Sequence, residues 1–122
     1  MTNLALSSLS HTWIIDIDGT IVRHNGYKEG EDQLLEGVKE FWSKIPVDDM
    51  IVLISAREHR FLASTSEFLN SNGIRFDYII FGIPKGERIL INDLKPSGLE
   101  TAYAVNVLRD KGLKGLSLTC LK

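Results

Sequence analysis

The stretch that decides the fold reads T-W-I-I-D-I-D-G-T, residues 12–20. Its first six residues are β-branched or aromatic apart from one aspartate, which is typical of a buried strand, and Gly19 allows a tight turn after it. Side chains two apart on a strand point the same way, so Asp16 and Asp18 face one site. Two carboxylates this close repel, and their pKa values separate unless a cation holds both. The stretch predicts a strand that ends in a reactive acidic turn.

Apolar runs alternate with amphipathic stretches along the rest of the chain. Strands are predicted at 12–17, 50–54, 76–81, 88–92 and 103–108, and helices at 32–45 and 60–72. Strands that alternate with helices favour a parallel sheet covered on both faces. We therefore predict an α/β fold, a three-layer Rossmann-like parallel sheet flanked by helices.

The bulk composition favours one globular domain. The chain has 122 residues, of which 43% are hydrophobic, and we expect a single domain over 1–122, with its core at 12–110 and an N-terminal extension at 1–11. With 14 basic against 16 acidic residues, there is no electrostatic footprint for nucleic acid or an anionic membrane. One cysteine, no signal peptide and no long apolar run predict a soluble cytoplasmic protein.

Polar residues follow four of the predicted strands, and the carboxyl ends of parallel strands meet at one edge of a sheet. The Ser55 hydroxyl can donate to a phosphoryl oxygen, or it can cap the next helix. Arg57 either adds charge to the phosphate or lies at the surface. The Lys85 ammonium can stabilise charge on phosphoryl oxygens. Asn92 and Asp93 offer oxygens of the kind that Mg²⁺ prefers, with an Asx turn as the alternative.

The order of these motifs resembles that of the haloacid dehalogenase-like hydrolase superfamily, over nearly the whole chain. The resemblance implies catalytic roles for Asp16 as nucleophile, Asp18 as acid/base and Lys85, phosphate binding by Gly19, Ser55, Ala56 and Arg57, and Mg²⁺ coordination by Asp16, Asp18, Asn92 and Asp93. The fourth motif of that family often carries two acids, and here its first position is Asn92. Whether Asn92 or Asp93 contacts the metal directly therefore stays open, with the carboxylate favoured by charge.

The chain leaves little room for the cap domain that many members of this superfamily carry. Residues 21–31 form a short polar loop, and residues 57–85 have room for one helix and one strand. We expect a capless member with an open site. Such relatives act on bulky substrates or form homo-oligomers in which a neighbour covers the pocket. Residues 24–28 are a candidate flap or contact surface, with a plain hairpin as the alternative.

The expected activity is that of a magnesium-dependent phosphomonoesterase acting through an aspartyl-phosphate on a small phosphorylated metabolite, such as a sugar phosphate or a nucleotide. A phosphotransferase is an alternative, although excluding water needs a lid. A non-catalytic binding or assembly module is another, and Asn92 is the residue that favours it. Dehalogenation fits the Asp18-Gly19-Thr20 sequence less well. Residues 112–122 are assigned no role.

Overall fold

The fold is built from short strands and two α-helices, as the alternating sequence pattern predicts. The structure is a computed structural model, and it describes residues 2–120. In chain order the elements are β1 (Thr2–Leu6), β2 (Thr12–Asp16), a 3₁₀ helix (Gly26–Lys28), α1 (Val38–Lys44), β3 (Met50–Ile54), a 3₁₀ helix (His59–Phe61), α2 (Leu62–Ser71), β4 (Tyr78–Ile80) and β5 (Leu116–Cys120). The chain is therefore a small α/β protein with short parallel sheets.

The larger sheet holds β2, β3 and β4 side by side, and all its pairs are parallel. Parallel neighbours need a crossover, which α1 provides between β2 and β3 and α2 provides between β3 and β4. The predicted strands at 12–17, 50–54 and 76–81 are confirmed, the last in shortened form. The first helix begins later than predicted, because Gly37 precedes it with a φ of 81°.

The two faces of this sheet have different surroundings. On one face Ile51 and Leu53 are fully buried, and Trp13 meets Phe41 of α1 edge to face with 5.7 Å between the ring centroids. The other face carries Ile14 on β2, which is 53% exposed, and Tyr78 and Ile80 on β4, which are exposed too. Among residues 2–120, the helices thus cover one face, and a third layer is not formed.

Residues 82–108, which we call the arm, contain no helix and no strand. The predicted strands at 88–92 and 103–108 are therefore wrong. A strand is stable only when its backbone groups find a partner strand, and the aliphatic pattern of the arm could not supply that partner. Ile91, within the first of these predicted strands, is 89% exposed.

A second sheet joins the two ends of the described chain. β1 pairs with β5 in parallel, from Thr2 beside Leu116 to Leu6 beside Cys120. Leu4 is buried and Leu118 packs against the main core. The segments at 1–11 and 112–122, predicted as an extension and given no role, thus form one structural unit, apart from the termini outside the described residues.

Candidate active site

The carboxyl end of the larger sheet brings the first two motifs together. Asp16 is the last residue of β2 and lies beside Ile54, the last residue of β3, so Ser55 follows at the same edge. Asp18 lies in the turn after β2 and accepts a hydrogen bond from the Ser55 hydroxyl at 2.8 Å. The predicted neighbourhood of these three polar residues is therefore present in the structure.

Asp16 is half-buried and lightly bonded. The Thr20 hydroxyl donates to its Oδ2 at 3.1 Å. The Arg88 Nη2 lies 3.7 Å from Asp16 Oδ1. Burial raises the pKa of Asp16 above its ordinary value, and the charge of Asp18 adds to the rise, while Thr20 and Arg88 oppose it. Such a carboxyl keeps unbonded lone pairs for a reaction.

The turn that follows the two carboxylates depends on Gly19. Its φ is +82°, and a Cβ there would lie 3.1 Å from the side chain of Arg109. Its N–H donates to the carbonyl of Val22 at 2.7 Å. Any other residue would strain this backbone and crowd the arginine. Gly19 was predicted to touch phosphate; in the structure its role is to shape the turn that carries Asp18.

Asp18 is held at both oxygens. Its Oδ2 accepts the hydrogen bond from Ser55, and its Oδ1 accepts one from Arg57 Nε at 2.9 Å. Arg57 Nη2 lies 2.8 Å from the same Oδ1. Ser55 is fully buried, and its Oγ accepts a hydrogen bond from the Arg57 backbone N–H at 3.0 Å. The strand end after β3 therefore fixes the carboxylate that follows β2.

Arg57 has a second acidic partner in Asp32. Its Nη2 and Nη1 donate to Asp32 Oδ1 and Oδ2 at 2.8 and 2.9 Å, and Nη1 also donates to Thr65 of α2. The Arg57 side chain is 1% exposed. Burial would lower the pKa of Arg57, but its hydrogen bonds with Asp32 and Asp18 outweigh burial and raise it. Its predicted part as a phosphate ligand would require one of these bonds to break.

The candidate flap is closed over this cluster by Tyr27. The Arg57 guanidinium carbon lies 4.0 Å from the centroid of the Tyr27 ring, and that ring meets Phe61 edge to face at 4.8 Å. Asn25 takes a left-handed conformation, and the 3₁₀ helix Gly26–Lys28 follows. Burial raises the pKa of the Tyr27 hydroxyl, and the charge of Asp18 adds to the rise. The loop is thus a packed turn over the arginine.

The remaining predicted site residues form no side-chain hydrogen bond or ion pair with Asp16 or Asp18 among residues 2–120. Lys85 is exposed in the arm, where no ion pair or hydrogen bond is found for its side chain among residues 2–120. The Asn92 amide donates to the Thr101 hydroxyl at 2.8 Å, and that hydroxyl donates to the Asp93 carbonyl. Ala56, half-buried, lies between Ser55 and Arg57. The prediction of Lys85 and Asp93 beside Asp16 stays a prediction.

Metal ligands fit only in part. Asp16 offers carboxylate oxygens and Asp18 offers its backbone carbonyl, both of the kind that Mg²⁺ prefers. Across residues 2–120, however, no group of three or more acidic, histidine or cysteine side chains could hold a metal ion. In the described conformation the Asp16–Asp18 pair therefore lacks the third acid, which the sequence assigned to Asp93.

Three participants in this site lacked a clear sequence signal. Arg88 was assigned to a strand, and no spacing rule places it beside Asp16. Asp32 was assigned to the start of a helix, although a buried arginine requires acidic partners and such a partner could have been sought. Tyr27 was included in the flap, but its contact with Arg57 depends on the tertiary fold.

Comparisons with known proteins give no family assignment: no family model, curated protein or solved structure matches the chain. None of the helices within residues 2–120 has the length and apolar character needed to cross a membrane. The site must therefore be interpreted from its own geometry.

Proposed function

We propose that the chain is a phosphomonoesterase in which Asp16 attacks the phosphorus of a small phosphate ester. The observation that supports this most is the pair of carboxylates with unequal surroundings at one strand end. Asp16 accepts a single hydrogen bond and is half-buried, whereas Asp18 is fixed by Ser55 and Arg57. Two carboxyl groups in different environments can divide the roles of nucleophile and acid/base between them.

The proposed reaction has two steps. An Asp16 oxygen forms a bond to phosphorus, the ester P–O bond breaks, and Asp18 gives its proton to the leaving alkoxide. Water then attacks the aspartyl-phosphate, Asp18 takes a proton from it, and inorganic phosphate leaves as Asp16 is regenerated. The Arg88 guanidinium, 3.7 Å from Asp16, adds positive charge where the phosphoryl group arrives. When bound, Mg²⁺ would offset further negative charge there.

The three-layer arrangement belongs to this proposal as its substrate-bound state. Ile14 on the uncovered sheet face and Ile91 on the arm are both exposed aliphatic side chains, and burying them together would be favourable. Laying the arm along β2 would carry Lys85 and Asp93 towards Asp16. Asp93, with Asn92, would then complete the magnesium ligands offered by Asp16 and the Asp18 backbone.

The proposed substrate is a small phosphorylated metabolite, such as a sugar phosphate or a nucleotide, and the proposed location is the cytoplasm. A short turn around Tyr27 lies over the site. A neighbouring subunit would complete the pocket if the protein forms a homo-oligomer. Phosphoryl transfer to a sugar remains the second enzymatic candidate, and a binding module without turnover is the candidate from another class.

Phosphate release from p-nitrophenyl phosphate, sugar phosphates and nucleotides tests the proposal. Each assay is run with Mg²⁺, with chelator and with Asp16→Asn, and Asp48→Asn serves as control because Asp48 is an exposed carboxylate at the opposite end of β3. We expect Mg²⁺-dependent turnover that falls at least about 10³-fold in Asp16→Asn alone. A folded protein that releases no phosphate from any compound would instead support the binding module.

A further inference from the structure

The structure points to a role for Arg57 that differs from phosphate binding. We propose that Arg57 is a positioning residue, which orients Asp18 so that one defined oxygen exchanges the proton with the leaving group and with water. This inference rests on the proposed hydrolysis and adds to it a division of labour within the cluster. It is carried by the hydrogen bonds of Arg57 and by its burial.

All three guanidinium nitrogens of Arg57 are engaged by the protein. Nε donates to Asp18, Nη1 donates to Asp32 and Thr65, and Nη2 donates to Asp32 while lying 2.8 Å from Asp18. An arginine has five N–H donors in a fixed plane, and hydrogen bonds to these partners use four of them. The side chain is 1% exposed, and the Tyr27 ring covers one face of it. A phosphate would have to displace a carboxylate to reach it.

The same contacts make the two oxygens of Asp18 unequal. Oδ1 lies within 2.9 Å of both Nε and Nη2 of Arg57, whereas Oδ2 accepts one hydrogen bond, from Ser55. Oδ1 therefore lies beside a buried cation, which disfavours a proton on it, whereas Oδ2 faces a neutral hydroxyl and keeps a second lone pair for a proton. Arg57 therefore selects Oδ2 as the atom that carries the proton.

Asp32 explains how a buried cation is tolerated beside a carboxylate that must react. A buried charge is stable only with a well-placed partner of opposite sign. The bidentate pair of Asp32 with Arg57 provides this partner and fixes the plane of the guanidinium. The Asp32 side chain is 7% exposed and binds Arg57. Asp32 therefore acts on Asp18 through Arg57, as a second positioning residue.

The leaving group of the substrate separates positioning of an acid from phosphate binding. An alkyl phosphate needs a proton on its departing oxygen, whereas p-nitrophenolate departs without one, and kcat/KM reports this first step. We expect Arg57→Lys to lower kcat/KM for an alkyl phosphate by roughly 10- to 100-fold and for p-nitrophenyl phosphate by less than about threefold. The inhibition constant for inorganic phosphate should stay within about twofold of the unaltered protein.

Arg75→Lys is the matched control. Arg75 also donates hydrogen bonds within the protein, to the backbone carbonyls of Asp49 and Pro46, but it lies away from Asp16 and Asp18. Arg75→Lys should change neither the ratio of kcat/KM values for the two substrates nor the inhibition constant for inorganic phosphate. Equal losses on both substrates together with weaker phosphate inhibition would make Arg57 a phosphate ligand and overturn the inference, while leaving the hydrolysis intact. Absence of turnover in the unaltered protein would overturn both.

A second variant covers the case in which Arg57→Lys does not fold. Asp32→Asn leaves Arg57 and Asp18 in place but weakens the bidentate pair that orients them. We expect the same selective loss for the alkyl phosphate, by roughly tenfold. Selective loss in Asp32→Asn supports positioning, because Asp32 lies behind Arg57, and an unchanged ratio of the two substrates in a folded Asp32→Asn protein would overturn it.

Discussion

Two aliphatic stretches of this chain reach different structures. Met50–Ile54, M-I-V-L-I, is β3 at the centre of the larger sheet, with β2 on one side and β4 on the other. Residues 88–92, R-I-L-I-N, lie in the arm without a partner strand. The difference teaches that an aliphatic run gives a segment the propensity to form a strand. The strand forms only where a neighbouring strand pairs with it. Asp16 and Asp18 lie beside the end of the first stretch, and the proposed magnesium ligands Asn92 and Asp93 lie at and just after the end of the second.

The largest expected effect compares the cores of these stretches. Leu53 is fully buried, whereas Ile91 is 89% exposed. Leu53→Ala should lower the free energy of unfolding by about 2 to 5 kcal/mol because it leaves a cavity. Ile91→Ala should change it by less than about 0.5 kcal/mol. Urea unfolding in metal-free buffer measures both, and a loss above about 1 kcal/mol for Ile91→Ala would mean that the arm is already packed on the sheet.

The next effect concerns Asp93 of the arm and its proposed role in binding Mg²⁺. If Asp93 reaches Asp16 in the bound state, Asp93→Asn should raise the half-saturating Mg²⁺ concentration for phosphate release by roughly 10- to 100-fold. Glu87→Gln, another exposed acid of the arm, is the control and should leave that concentration unchanged. Identical magnesium dependence in the two variants would exclude Asp93 from the magnesium ligands.

Local pattern was enough to predict the parts of the site that are close in sequence. The β-branched and aromatic run in residues 12–17 located Asp16 and Asp18 at a strand end, and the apolar run before Ser55 located the neighbouring strand end. The contact between them follows from parallel pairing, which two crossover helices predict. This is why the shared edge of these three residues could be predicted although several boundaries were shifted.

The remainder depends on contacts between distant residues, which one sequence does not specify. The pairing of β1 with β5 joins opposite ends of the chain. Asp32 and Arg57 are 25 positions apart, and each alone has the appearance of an exposed charged residue. The failed strand at 88–92 has the same cause in reverse, because its pattern was suitable and its partner was missing. Pairing energies of this kind arise only in the folded chain.

The end of the sheet opposite the active site gives a stability effect of intermediate size. Burial opposes the charged form of Asp49, but hydrogen bonds from Trp13 and His11 outweigh it and lower the pKa of that carboxyl below its ordinary value of 3.8. Its stabilising contribution is present above that value and is lost as the pH falls through the lowered pKa. Asp49→Asn should lower the free energy of unfolding by about 1 to 2 kcal/mol at pH 7.

Urea unfolding at two pH values checks the sign for Asp49. The difference in free energy of unfolding between Asp49→Asn and the unaltered protein should shrink once the pH is well below 3.8, because Asp49 is then protonated and, like asparagine, uncharged. Asp48→Asn, at the exposed neighbour, should show no such difference at either pH. A gap that is constant with pH would show that the amide is tolerated poorly for its shape, and not for its missing charge.

The smallest effect has the opposite sign and lies at Asp16. Burial and Asp18 raise the pKa of its carboxyl, against Thr20, Arg88 and His24, so the fold disfavours the charged form. The stabilising contribution of the protonated form is complete below 3.8 and is lost as the pH rises through the raised pKa. Asp16→Asn imitates the protonated form, so in metal-free buffer at pH 7 it should be more stable than the unaltered protein.

This gain should be at most about 1 kcal/mol, because the Asp16 side chain is 32% exposed and water screens its charge. It should disappear near pH 3, where both side chains are neutral, and Arg88→Gln should enlarge it by removing a cation that favours the charged carboxylate. Thermal unfolding of the variants at both pH values measures it. An Asp16→Asn protein that is less stable at pH 7 would mean that the fold favours the charged form of Asp16, as it does for Asp49. The Asp16 carboxylate would then not be destabilised in the fold, which is the property that the proposed nucleophile needs in order to gain from contact with a cation or with phosphorus.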